Sequence, residues 1–286
     1  MKNSKEFKKE CVRKDFNGLS EMLLGKNSAE QILGEDGIKL SNVAKAKVLA
    51  KRSQIIAEVL QQKTITIPSQ DSAEIILNDV VTLFYAEAFS KGAKDYSNEE
   101  LLHYCIKTKA WNDAIQYARK IGGSAIDHET EIIEFLVDEI SDENKFANVK
   151  SNFDEWHRSI LENAEKYGVK QDWGMNPGLW QKLINMSFKY LYCVKDRFPK
   201  LDNILSKCHC PIDSIILTRL YNVLNENCLY EKNSAEFSCI RAYANREDYK
   251  SWNALTIEDY DIIQRVIKRV CAENYITPLQ FDFIYW

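Results

Sequence analysis

The sequence predicts an all-α fold in two packed lobes, and three observations predict it. Gly and Pro are scarce, at 10 and 5 of 286 residues, about one in twenty against roughly one in eight on average. Apolar residues recur at helical spacing through most of the chain. Helix-start signals separate the apolar segments, the clearest being the capping box Ser97-x-x-Glu100.

Taken in order, residues 5–61 alternate apolar clusters with charges, and Ile55, Ile56, Val59 and Leu60 share one helical face. Residues 63–69 are β-branched around Pro68 and read as an extended connector. Ile75–Phe89 is an apolar run expected to form a buried helix. Ser97 opens the next helix, Gly122-Gly123-Ser124 interrupts the chain, and Glu129–Ile140 is amphipathic. Phe153–Tyr167 is expected as a helix, and Gly168–Gly178 has the composition of a hairpin. Leu179–Val194 follows as a helix with Trp180, Ile184, Phe188, Leu191 and Val194 on one stripe. Ser206–Pro211 breaks the chain, Ile212–Asn225 and Ile257–Ala272 are helical, and an apolar end follows Pro278. The expected division is 1–150, an N-terminal helical region, and 151–286, which carries the motifs below.

Composition excludes several classes. A 45% hydrophobic and 28% charged chain is neither disordered nor collagenous. No run of 18 apolar residues is present, so no membrane partner is expected. Residues 1–14 lack the apolar centre of a signal peptide. Eight Cys without secretory context then read as reduced thiols of a cytoplasmic protein. A net charge of −4 gives no bulk attraction for nucleic acid. Locally, Lys182, Lys189, Lys195, Arg197, Lys200 and Lys207 form a basic rim or a solvated face.

The chemistry-bearing run is Pro177-Gly178-Leu179-Trp180-Gln181-Lys182, with Pro211-Ile212-Asp213-Ser214 following. Asp213 stands 31 positions after Lys182. This pattern resembles the helix–hairpin–helix DNA glycosylases, whose hairpin reads Pro-Gly-x-Gly-x-Lys and is followed by a Pro-Val-Asp-Thr type of loop. The run from Lys182 to Tyr192 looks most like the archaeal 8-oxoguanine branch. Asp282 and Trp286 repeat the four-residue Asp-to-Trp spacing of that branch's base pocket. The resemblance covers about residues 150–286, and the chain departs from it at Trp180, where the family has its second hairpin glycine.

The resemblance implies roles. Lys182 would attack the sugar and form a Schiff base, and Asp213 would be the catalytic carboxylate. Asp282, Trp286, Trp180 and His157 would contact the flipped base. Gly178, Gln181 and Lys189 would hold a DNA phosphate near a helix N-terminus. No cofactor and no metal are expected, and the partner is DNA bound by a monomer. The base would be 8-oxoguanine or another modified base. A modified base of phage DNA would make this a defence enzyme.

Plainer readings stand beside these. Pro-Gly opens many helices. Lys182, Asn185 and Lys189 share a face that could simply be solvated, Lys189 is a rival nucleophile, and Asp213 could merely cap a helix. His157 could be a core histidine, and Trp252 and Tyr260 read better as core than as pocket. Cys208-His209-Cys210 invites zinc, but adjacent ligands do not match the usual spaced pairs. The competing function is a non-enzymatic, all-α protein-interaction protein. A monofunctional enzyme using water is the variant within the glycosylase class.

Overall fold

The computed structural model describes residues 96–115, 124–141, 153–170, 174–205, 207–226, 234–244, 250–273 and 276–285. The expected helices at 5–61 and 75–89, the connector at 63–69 and Trp286 lie outside these. Among the described residues all regular structure is helical, with no strand. No helix there is long and apolar enough to cross a membrane.

The chain divides between Leu101 and Leu102. Helix α1 runs from Asn98 to His103. Its capping box forms as read: Ser97 N–H donates to Glu100 Oε2 at 2.7 Å and Glu100 N–H to Ser97 Oγ at 3.2 Å.

Within Leu102–Trp286, α2 (Glu129–Ser141), α3 (Phe153–Lys170) and α4 (Pro177–Cys193) come first. A π-helical segment, Tyr104–Ala110, precedes α2 and packs on both α2 and α4. That packing joins residues 104–110 and 129–141 to α4. Tyr190 of α4 adds a hydrogen bond from its hydroxyl to Asp113 at 2.5 Å. After the short α5 (Asp202–Leu205) come α6 (Ser214–Glu226), α7 (Ala235–Ala244), α8 (Ile257–Glu273) and α9 (Pro278–Tyr285). A 3₁₀ turn, Trp252–Ala254, lies between α7 and α8 and packs on α4. Helix α7 has no clear apolar stripe in sequence.

Helix α4 positions the site. Asn176 caps it, accepting Leu179 N–H at 3.0 Å. Pro177 occupies the first turn, where no N–H is needed. Gly174 sits at φ 63° just before, a left-handed conformation that costs glycine little. Residues 178–191 are then buried on every face. The face that could have been solvated is therefore interior. A buried polar group must find a partner, and the side chains of Gln181, Lys182, Asn185, Ser187 and Lys189 do.

Candidate functional site

Lys182 and Asp213 meet. Lys182 Nζ donates to Asp213 Oδ2 at 2.5 Å, and their side chains are 9% and 12% exposed. The second carboxylate oxygen works on the helix that follows. Asp213 Oδ1 accepts the N–H of Ile215 at 2.9 Å and of Ile216 at 3.0 Å. Asp213 therefore caps α6, which starts at Ser214 and not at Ile212. The capping and catalytic readings of Asp213 are compatible, since each uses a different oxygen. Burial pushes this carboxyl up, but Lys182 and the Ile216 amide outweigh it and hold it below the ordinary range.

Trp252 stands over the pair. Lys182 Nζ lies 5.6 Å from its ring centroid, within cation–π range. Gly178 makes this approach possible. A Cβ at Gly178 would lie 2.6 Å from the carbonyl oxygens of both Trp252 and Asn253. Gly178 is thus buried beneath the 252–254 turn.

A second pair sits two turns along α4. Lys189 and Asp282 form an ion pair at 2.5 Å, with side chains 0% and 2% exposed. Lys189 Nζ is also 5.0 Å from the Phe283 ring centroid. Burial raises the Asp282 carboxyl, and Lys189 only partly offsets it. Asp213 and Lys182 lie near enough to act on Asp282 with opposite signs. The four charges thus form one cluster of alternating sign.

Three of the residues expected to contact DNA are fully buried. Lys189 is sealed in its pair and has no surface for a phosphate. Trp180 is fully buried, edge-on to Phe135 at 5.8 Å between ring centroids, and belongs to the core. Gln181 is fully buried too, and its amide serves the protein's own backbone. Gln181 Nε2 donates to Ile212 O at 2.8 Å and to Gly178 O at 3.0 Å, while its Oε1 accepts Ile212 N–H at 3.1 Å.

His157 is buried and bonded, with Nε2 2.9 Å from Asn185 Oδ1 and Nδ1 unpartnered. It belongs to a chain of polar groups no spacing announced. Asn185 Nδ2 donates to Tyr260 Oη at 3.0 Å, and Tyr260 Oη is 2.7 Å from His209 Nδ1. His209 Nε2 is 2.8 Å from Asp154 Oδ1, which also pairs with Lys268. One donor order satisfies the run: Asn185 to Tyr260, Tyr260 to His209, His209 to Asp154. Burial pushes His157 well below the ordinary histidine value, and the nearby His209 pushes the same way. Burial likewise lowers His209, against the pull of Asp154.

The chain ends at a cleft of about 480 Å³, lined among others by Asp154, His157, His209, Gln264 and Lys268. Lys182 and Asp213 do not line it. Cys208 and Cys210 are buried, and burial raises both thiols well above their ordinary value. Their neighbour His209 spends both ring nitrogens on Tyr260 and Asp154. Among the described residues, no three His, Cys, Asp or Glu side chains converge as metal ligands would.

No family model, no curated protein and no solved structure matches the chain.

Proposed function

We propose that this protein is a DNA glycosylase with associated lyase activity, which excises a modified base through Lys182. The observation that supports it most is the contact between Lys182 and Asp213. Two residues 31 positions apart, singled out by a glycosylase-like pattern, lie 2.5 Å apart in a nearly buried setting. Burying a charged pair is costly unless further bonds hold it. Here the carboxylate is also fixed by two amides, which preorganises it.

The chemistry follows from the groups present. A neutral Lys182 amine, its proton given up to water, attacks C1′ of the flipped nucleotide while Asp213 stays ionised. The C1′–N bond breaks, and the base leaves with that electron pair and takes up a proton. Opening of the sugar ring gives a Schiff base between C1′ and Nζ. Loss of a C2′ proton then expels the 3′ phosphate by β-elimination. Asp213 stabilises the positive charge that builds on the sugar. Trp252, half-buried over the amine, offers an aromatic face to the extruded nucleotide. Exposed Lys195 and Lys207 offer phosphate contacts outside the site despite the acidic total charge.

Within this reading the substrate is 8-oxoguanine or another modified base, in repair or in defence against phage DNA. The test is borohydride trapping on duplexes carrying 8-oxoguanine, uracil, an abasic site or a modified cytosine. A covalent band is expected, and it should vanish in Lys182→Gln. An alkali step on the same samples detects base loss without the lyase reaction. Silence in both overturns the proposal.

A further inference from the structure

We infer that Gln181 and Gln264 are positioning residues that pin the 210–213 loop so that the Asp213 carboxylate meets Lys182. This rests on the Lys182 reading for its catalytic meaning, but its geometry stands alone. Gln181 precedes Lys182 in the chain and binds Ile212, which precedes Asp213. Consecutive residues of α4 therefore grip consecutive residues of the loop. The loop cannot slide by one residue without losing both grips.

The grip is saturated. A glutamine amide has two N–H donors and a carbonyl with two acceptor sites. Gln181 spends its donors on Ile212 O and Gly178 O. Its oxygen accepts Ile212 N–H and, at 3.3 Å, Asn185 Nδ2. Gln264, from α8, repeats the pairing two residues earlier. Its Nε2 donates to Cys210 O at 2.6 Å, and its Oε1 accepts Cys210 N–H at 3.3 Å. In an extended chain, the N–H and C=O of residues i and i+2 face the same edge, as between paired strands. Two side-chain amides thus supply what a neighbouring strand would. Pro211 between them has no N–H to place. Both glutamines are buried, at 0% and 2% exposure, and no bulk water competes for the loop.

The alternative is that the glutamines only satisfy buried backbone groups. The two roles separate in a titration. The Asp213 carboxyl would be followed by NMR in the full chain, as wild type, Gln181→Met and Gln264→Met. Loosening the loop should move its titration upward by about one pH unit in Gln181→Met, as Lys182 moves off, and by less in Gln264→Met. Single-turnover trapping on an abasic duplex should slow about 100-fold in Gln181→Met, the cost of roughly 1 Å of misplacement. In an Asp213→Asn background the same substitution should add less than about 3-fold, because Gln181 acts through Asp213. Gln181→Glu keeps the size and an acceptor but loses both donors, and serves if the Met variant does not fold. An unchanged Asp213 titration in the glutamine variants overturns the inference. So does a trapping loss of equal size with and without Asp213. Failure of the wild type to trap any duplex falls on the nucleophile reading alone, and the titration still decides the pin.

Discussion

Helix α4 carries two lysine–carboxylate pairs two turns apart, and they differ in everything but their chemistry. Lys182–Asp213 retains some exposure, under the edge of Trp252, and its carboxylate is held low by the lysine and a helix N-terminus. Lys189–Asp282 is sealed, and burial raises its carboxyl. In the proposed reaction the amine needs a path for its substrate and a carboxylate that stays ionised beside the sugar. Only the first pair offers both. The second does what buried pairs do well, which is to fix how α4 and α9 meet.

Breaking the sealed pair should have the largest effect on stability. Lys189→Met leaves Asp282 buried without its cation, a change that costs about 3–5 kcal/mol. Urea unfolding should show this loss. The double variant Lys189→Met/Asp282→Leu should recover most of it, since an apolar pair of similar volume avoids the desolvation. The corresponding Lys182→Met should cost less, because Asp213 keeps its two amide donors and some solvent. Equal losses at the two pairs would remove the distinction.

Much of the site was legible because its signals are local. Pro177-Gly178 reads as a helix entry, and Pro211-x-Asp213-Ser214 as a cap, from short-range chemistry alone. The pairing of Lys182 with Asp213 is legible through the order and spacing of a glycosylase-like pattern, not through periodicity. What stayed illegible is long-range. Nothing near Gln181 says that it faces Ile212, and nothing near Gln264 says that it faces Cys210. The polar residues of α4 look like a solvated face in sequence, because amphipathic patterning cannot tell water from a buried partner. The burial of Trp180 is illegible for a related reason: local sequence does not separate a tryptophan of the core from one in a pocket. Helix α7 was missed because Ala235–Ala244 mixes small, polar and aromatic residues without a sharp stripe.

A smaller perturbation separates the pairs geometrically. Gly178→Ala puts a Cβ against two carbonyl oxygens of the 252–254 turn. Backbone must give way, at a cost of about 1–3 kcal/mol, typical of overpacking. The turn carries Trp252, so the displacement reaches Lys182 and leaves Lys189 untouched. Trapping should slow more than the stability loss explains, while Lys189→Met should cost the same in this background as in wild type. Additive urea data and a trapping rate below the folded fraction would bear this out. A Gly178→Ala protein that traps at the wild-type rate would mean that the turn does not shape the amine's surroundings.

The smallest effect is a slope with pH, and its sign differs for each group. Asp213 is lowered, so its stabilisation is present above the ordinary carboxylate value near 3.8 and fades as pH falls below it. Asp282 is raised, so it favours the folded state at low pH and loses that contribution as pH rises through its folded value. His157 and His209 are both lowered from an ordinary value of 6.5. Below that value the unfolded chain takes up protons that the folded chain refuses. Stability from the histidines is therefore present above about pH 6.5 and lost as pH falls, by at most about 1.4 kcal/mol per pH unit for each. Denaturant unfolding between pH 7.5 and 5.5 should show stability falling toward acid. His157→Gln keeps an N–H donor for Asn185 and should flatten the slope. Asp213→Asn should leave it unchanged, because the Asp213 transition lies at lower pH. A flat wild-type profile would mean that the Asn185–Tyr260–His209–Asp154 run opens to water and accepts the proton. The open pair and the sealed pair would then share a softer interior than their burial implies.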